Sequence, residues 1–172
     1  PMGSKARVER KGASSGNPVR DSALGLVPET LDHYLRLNSL VWESGPLGPA
    51  ELEIARLRNA RKVGCVFCKS VRYDIARSDG LSEERVGMID DQFMHSALSA
   101  REKAIIAFTD QYLDDPSGMP ASLRDELAAL FSAEELLHLS LAIAHLNGLS
   151  RCAVSLGGMP DELPVMEIPL PQ

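Results

Sequence analysis

The stretch Glu53-Ile54-Ala55-Arg56-Leu57-Arg58-Asn59-Ala60-Arg61-Lys62-Val63-Gly64-Cys65-Val66-Phe67-Cys68-Lys69-Ser70-Val71-Arg72 decides how this chain folds. Leu52, Ile54, Leu57, Ala60 and Val63 recur at helical spacing, so a helix is expected from Pro49 to a break at Gly64. Beyond the break the pattern resumes through Val66, Phe67, Val71 and Ile75 as far as Ser78, and Gly80 is a good residue to close it. This reading places Cys65 in the first turn of a new helix and Cys68 one turn deeper. Free N–H groups and the helix dipole favour a thiolate there. At i and i+3 the two thiols share a face, close enough for a disulfide.

Whether charged neighbours reach the pair depends on Gly64. In one straight helix Glu53 and Cys68 would lie roughly 22 Å apart at about 1.5 Å per residue, too far to cooperate. If the chain folds back as an antiparallel pair, Glu53 comes level with Arg72, which is i+4 from Cys68. Glu53, Arg72 and Cys68 are therefore expected to form one constellation.

Working outward, Pro28 opens a helix carrying Leu31, Tyr34, Leu35, Leu37, Leu40 and Val41, and the Gly/Pro run from Gly45 to Pro49 ends it. Ser82 caps a short helix reaching Ile89. Ser99 with Glu102 is a capping box ahead of Ala104, Ile105, Phe108 and Tyr112. Leu123 to Phe131 is a further helix. Ser132 with Glu135 opens the longest one, Ala133 to about Leu156. That helix is apolar almost all round and is expected to be buried in the core or at a subunit interface. No period-2 run of useful length occurs, so the fold class is all-α. Residues 1–22 form a basic polar arm (Lys5, Arg7, Arg10, Lys11), with Pro1 before Met2 read as an expression scar. Residues 23–158 form the helical domain, and residues 159–172 a Pro-rich, extended tail.

Composition bounds the function. A chain of 172 residues with 44% hydrophobic and 24% charged residues suits one globular domain. A net charge of −6 gives no case for nucleic acid or an anionic membrane. No apolar run approaches the roughly 20 residues of a membrane span, and no signal segment is evident, so a cytoplasmic protein is expected. Three cysteines do not make a disulfide scaffold, and a CxxC in a reducing compartment points to redox or metal work. Zinc is the poorer reading, because one CxxC supplies two ligands and no second pair follows.

Other residues are weighed the same way. The bland reading of Cys65 and Cys68 is a pair of buried small hydrophobes. Glu53 with Arg72 could be only a surface ion pair. His138 and His145 stand at i,i+7 on the long helix, where core or interface roles compete with a catalytic role for His145. His33 and His95 read as surface residues. Asn147 and Arg151 read as structural ties between elements, and Cys152 as packing.

Glu53, Cys65-Val-Phe-Cys68, Gly80-Leu81-Ser82, and His145-Leu146-Asn147-Gly148-Leu149-Ser150-Arg151 together resemble the carboxymuconolactone decarboxylase / AhpD-like alkylhydroperoxidase superfamily. The resemblance runs from about Leu26 to Gly158. It implies an AhpD-like all-helical domain that forms homo-trimers or homo-hexamers and reduces peroxides or disulfides without a cofactor or metal. It also implies that Cys68 attacks, that Cys65 resolves the product as a disulfide, and that Glu53 belongs to a proton relay. An external dithiol or reductase would restore the pair. One position departs from the pattern. Peroxidase members carry a histidine four residues after the second cysteine, and Arg72 stands there instead. Its guanidinium can hold a thiolate but cannot shuttle protons near pH 7. Two alternatives stand beside this reading: a cofactor-free decarboxylase or lactone-processing member, and a non-catalytic helical oligomer with vestigial cysteines.

Overall fold

The computed structural model describes residues 5–9, 12, 14–17 and 19–171. The expected scar at Pro1, and Arg10 and Lys11 of the basic arm, lie outside the described residues. The elements run α1 (Pro28–Glu43), α2 (Pro49–Val63), α3 (Val66–Ser70), β1 (Val71–Tyr73), α4 (Asp74–Ser78), α5 (Glu83–Gly87), α6 (Ala100–Asp114), α7 (Ala121–Leu130), α8 (Ala133–Leu156) and β2 (Met166–Ile168). The fold is predominantly helical, as the periodicity implied, with two three-residue strands added.

α2 is the helix on which the others are laid. Every residue from Leu52 to Ala60 is buried, including Glu53, Arg56, Arg58 and Asn59. Burying such groups is tolerable only when each is paired, and each is. Arg58, for example, holds Asp110 through two 2.6 Å bonds and Asp91 at 2.9 Å. α6 and α8 pack on α2, and Leu52, Ile54, Leu57, Ile105, Ile106, Leu139 and Ile143 fill the space between them. Both expected capping boxes form, at Ser99/Glu102 and Ser132/Glu135. α1 lies against α8, where His138 ties the two elements: its Nε2 meets the Val41 carbonyl at 2.9 Å and its Nδ1 accepts Leu47 N–H at 3.4 Å.

Four expectations need correction. The helix expected from Cys65 to Ser78 is three pieces, because Val71–Tyr73 pairs in parallel with Met166–Ile168 of the tail. The helix after Ser82 stops at Gly87, two residues short of Ile89. α8 is long and apolar enough to cross a membrane by length and composition, contrary to the sequence reading, but it packs one face on α2 and α1. In the single chain Leu137 and Leu141 of this helix stand 62% and 58% exposed, and Cys152, expected as packing, is an exposed free thiol.

The N-terminal segment reaches the C-terminal end of α8. Arg7 N–H donates to the Leu156 carbonyl at 2.7 Å. Asp21 gathers the Ser14 hydroxyl and the N–H groups of Ser15 and Gly16, and Val19 is buried with Leu31 and Leu35. The tail, extended as its prolines require, runs on to Pro171, whose carbonyl accepts from Asn38 Nδ2 at 3.4 Å.

Candidate active site

Gly64 makes the turn that the sequence demanded. At φ 75° it closes α2 in the left-handed conformation that glycine adopts without strain. Gly64 N–H returns to the Arg61 carbonyl at 3.2 Å and Cys65 N–H to that of Ala60 at 3.0 Å. This paired closure ends the helix cleanly and lets α3 start in a new direction. Cys65 is the residue that caps α3 and does not lie in its first turn: its sulfur accepts Cys68 N–H at 3.2 Å. Cys65 and Cys68 are joined as a disulfide.

The two sulfurs sit in different surroundings. Cys65 is 0% exposed beneath the loop. Cys68 is half-buried and lines a cavity of about 260 Å³. Its walls are Phe67, Val71 and Tyr73 from the CxxC side, Leu146, Leu149 and Ala153 from α8, Val19 and Leu24 from the N-terminal segment, and Met159, Pro160 and Leu163 from the tail. Among the described residues Arg56 is the one charged side chain on the lining.

Glu53 does not meet Arg72. It takes the Arg56 guanidinium through two 2.6 Å bonds, Nε to Oε2 and Nη2 to Oε1, and accepts Tyr73 N–H at 3.3 Å. Arg56 then reaches over the CxxC loop to the carbonyls of Cys68 at 2.7 Å and Val71 at 2.6 Å, with its guanidinium 4.8 Å from the Tyr73 ring centre. Burial opposes the charge on Arg56, but Glu53 beside it more than offsets this and holds the guanidinium above its usual range. Burial likewise pushes the Tyr73 hydroxyl up. The Glu53–Arg56 pair thus clamps the C-terminal half of α3 and the start of β1 onto α2. A signal for it was present in the sequence, since Glu53 and Arg56 stand at i,i+3.

Arg72 is placed elsewhere by β1. Alternate residues of a strand point to opposite sides, so Val71 and Tyr73 face the cavity and Arg72 turns away. Its guanidinium binds Glu83 at 2.8 and 3.1 Å and the Lys69 carbonyl at 2.7 Å. Hydrogen bonding to Arg72 lowers the Glu83 carboxyl. The expected Glu53–Arg72–Cys68 constellation is therefore not formed.

His145 also stands apart from the cavity. It is buried under α1, stacked on Tyr34 with ring centres 4.3 Å apart, and its Nε2 is 3.2 Å from Asn38 Oδ1. Asn38 Nδ2 is engaged with Pro171, so Nε2 is the ring donor and the buried Nδ1 has no partner among the described residues. Burial pushes the imidazole down to about 4, so it is neutral at pH 7. His33 and His95 are exposed. Among the described residues no group of three His, Cys, Asp or Glu side chains could hold a metal ion.

One neighbour of Cys68 escaped the sequence reading. Ser150 Oγ on α8 lies 3.5 Å from Cys68 Sγ and accepts from Asn59 Nδ2 at 3.1 Å. The residues are 82 and 91 positions apart in sequence, and only the packing of α2 on α8 unites them.

No protein-family model matches the chain. Two uncharacterised proteins of Mycobacterium tuberculosis, one from each of two strains, are 32% identical to it over 138 residues. The match covers 76% of this chain and 48% of each relative, so the chain spans about half the length of the curated relatives it matches. Among solved structures, a protein of unknown function from Agrobacterium tumefaciens, provisionally described as an antioxidant defence protein AhpD, superposes with a TM-score of 0.67. That pair is 25% identical, with 88% of this chain and 95% of the other covered. An uncharacterised peroxidase-related protein from Silicibacter sp. has a TM-score of 0.65 at 15% identity, covering 77% and 71% of the two chains. The debrominase Bmp8, as a cysteine-to-alanine variant in complex with 2,3,4-tribromopyrrole, has a TM-score of 0.65 at 20% identity, covering 78% and 72%.

Proposed function

We propose that the chain, whose fold is that of the AhpD-like / carboxymuconolactone decarboxylase superfamily, is a thiol-dependent oxidoreductase working through Cys65 and Cys68. One observation carries the reading: the two sulfurs are bonded to each other, and only Cys68 lines a cavity while Cys65 is 0% exposed. A substrate can reach Cys68, and Cys65 is held where it can resolve what forms there.

In the peroxide direction the Cys68 thiolate attacks the distal oxygen of a hydroperoxide. The O–O bond breaks, Cys68 becomes a sulfenic acid and the alkoxide leaves with a proton as an alcohol. The Cys65 thiol displaces hydroxide from that sulfur, giving the disulfide and water. An external dithiol or reductase then returns two electrons and two protons to the pair. In the disulfide direction Cys68 attacks one sulfur of the substrate, a mixed disulfide forms, and Cys65 releases the second thiol.

Glu53 and Arg56 act in this scheme as positioning residues. Both Glu53 oxygens are occupied by Arg56, which fixes the carbonyls of Cys68 and Val71. Among the described residues that line the cavity none is a histidine, aspartate or glutamate. A departing alkoxide needs a proton, whereas a departing thiolate near its own pKa does not. Disulfide exchange is therefore the faster half-reaction. Cycling of this kind suits a cytoplasmic protein, and an assembly of three or six copies would have the exposed Leu37, Leu40, Leu137 and Leu141 of α1 and α8 to cover.

The test is stopped-flow reaction of the reduced protein with an organic hydroperoxide and with an aromatic disulfide, with Cys68→Ser as control. Free thiols and the mass of the Cys65–Cys68 peptide are followed together. Loss of two thiols and of two hydrogens in mass, absent in the control and faster with the disulfide, is the expected result. Rates no greater than those of free cysteine with both reagents would refute the proposal.

A further inference from the structure

Cys68 Sγ stands at the end of a file of side chains that all donate in one direction. Arg151 Nε donates to Asn147 Oδ1 at 2.8 Å, Asn147 Nδ2 to Asn59 Oδ1 at 2.7 Å, and Asn59 Nδ2 to Ser150 Oγ at 3.1 Å. Ser150 Oγ is then directed at Cys68 Sγ, 3.5 Å away. The polarity is fixed by chemistry. A guanidinium has only donors, so Asn147 must turn its carbonyl to Arg151 and its NH2 to Asn59. Asn59 must do the same in turn, and Ser150, already accepting, has its own proton left for the sulfur. Asn147, Ser150 and Arg151 fall at i, i+3 and i+4 on α8, and Asn59 sits mid-way along α2. Asn59 and Ser150 at the inner end of the file are buried, while Arg151 is exposed and makes no ion pair among the described residues.

We infer that Ser150, oriented by Asn59, Asn147 and Arg151, is the catalytic group that holds Cys68 as a thiolate once the disulfide is reduced. The inference rests on the redox reading of the CxxC. It gives the site a thiolate partner, the part Arg72 was expected to play. A disulfide sulfur is a weak acceptor and a thiolate a strong one, so this donor is in place before the charge exists and needs no rearrangement when it appears. Hydrogen bonding to the charged form of a group favours that form, and bonds in series polarise one another. Amide groups do not pass protons on, so the file acts on the charge of Cys68 alone. A purely structural tie between α2 and α8 would use the same bonds but leave the thiol pKa unmoved.

The experiment uses the full chain carrying Cys152→Ser, because Cys152 is an exposed thiol that would react. The protein is fully reduced, and alkylation by iodoacetamide is followed against pH and located at Cys68 by peptide mass. Ser150→Ala is expected to raise the apparent Cys68 pKa by about 1, and Ser150→Thr, which keeps the hydroxyl, to restore it. Arg151→Met, at the exposed end, is expected to raise it by a smaller amount. A folded Ser150→Ala protein with an unmoved Cys68 pKa overturns the inference. If Ser150→Ala does not fold, Arg151→Met decides: an unmoved pKa there overturns it equally. Alkylation involves no peroxide or substrate disulfide, so the two readings fail separately. A shifted pKa in a protein that does not turn over refutes the redox reading alone, and turnover with an unmoved pKa refutes the Ser150 role alone.

Discussion

Replacing Glu53 by glutamine keeps the shape of the side chain and removes its charge, which isolates the worth of the Glu53–Arg56 pair. Glu53 is 0% exposed and both of its oxygens lie 2.6 Å from the guanidinium. Arg56 remains charged in the variant, because a guanidinium keeps its proton even where burial lowers its pKa, and its other partners, the Cys68 and Val71 carbonyls, accept from the protonated form. A buried cation is left without its counter-charge. Breaking a buried pair in this way costs about 3–5 kcal/mol. At about 2–4 °C per kcal/mol for a chain of this size, the melting temperature falls by about 6–20 °C. Circular dichroism melts and urea titrations of the oxidised protein measure both quantities. Removing the two charges together, as Glu53→Leu with Arg56→Met, is expected to cost less than the sum of the single changes. It does not return to the parent value, because the Cys68 and Val71 carbonyls lose their donor. A loss under about 1 kcal/mol for Glu53→Gln, the range of an exposed pair, would refute the reasoning.

Further outcomes follow from the other charged groups. His145 is held neutral with its pKa pushed down to about 4, against about 6.5 in the unfolded chain. Between those values the unfolded state binds the extra proton, so stability rises with pH there. The contribution is fully present above about pH 6.5 and is lost as pH falls to about 4, an amount on the order of 3 kcal/mol; a His145→Gln protein should lack that part of the acid sensitivity in urea titrations. Arg72→Gln is expected to leave Cys68 alkylation unchanged while the Glu83 carboxyl, lowered by its bond to Arg72, titrates higher by NMR. A slower Cys68 in that variant would return Arg72 to the site.

Much of the scaffold was written in local signals. Pro28 and Pro49 open helices, Gly64 closes one, and two Ser/Glu boxes open two more, because each cap depends on residues a few positions apart. β1 could not be seen this way. Val71 and Ile75 continue a helical spacing, and only the tail strand Met166–Ile168 makes Val71–Tyr73 extended. That one override also moved Arg72, since a helix would have kept it on the Cys68 face and a strand does not. Hydropathy alone does not show which helix is central. α8 is the more apolar, yet it exposes Leu137 and Leu141, while α2 buries four polar side chains whose partners lie on α3, β1, α6 and α8, at Asp91, or one turn along α2 itself. Ser150 beside Cys68 depends on the same α2–α8 packing and has no local sign at all.

The claim at the centre of the account is that Cys68 is the sulfur that attacks and Cys65 the one that resolves. It is tested most directly by single-turnover reaction of Cys65→Ser and Cys68→Ser, each carrying Cys152→Ser, with a chromogenic aromatic disulfide. The account predicts that Cys65→Ser releases one equivalent of chromogenic thiol and stops as a stable mixed disulfide on Cys68, and that Cys68→Ser releases none at a comparable rate. Capture of the reagent on Cys65 in the Cys68→Ser protein, at a rate matching Cys65→Ser, would contradict it.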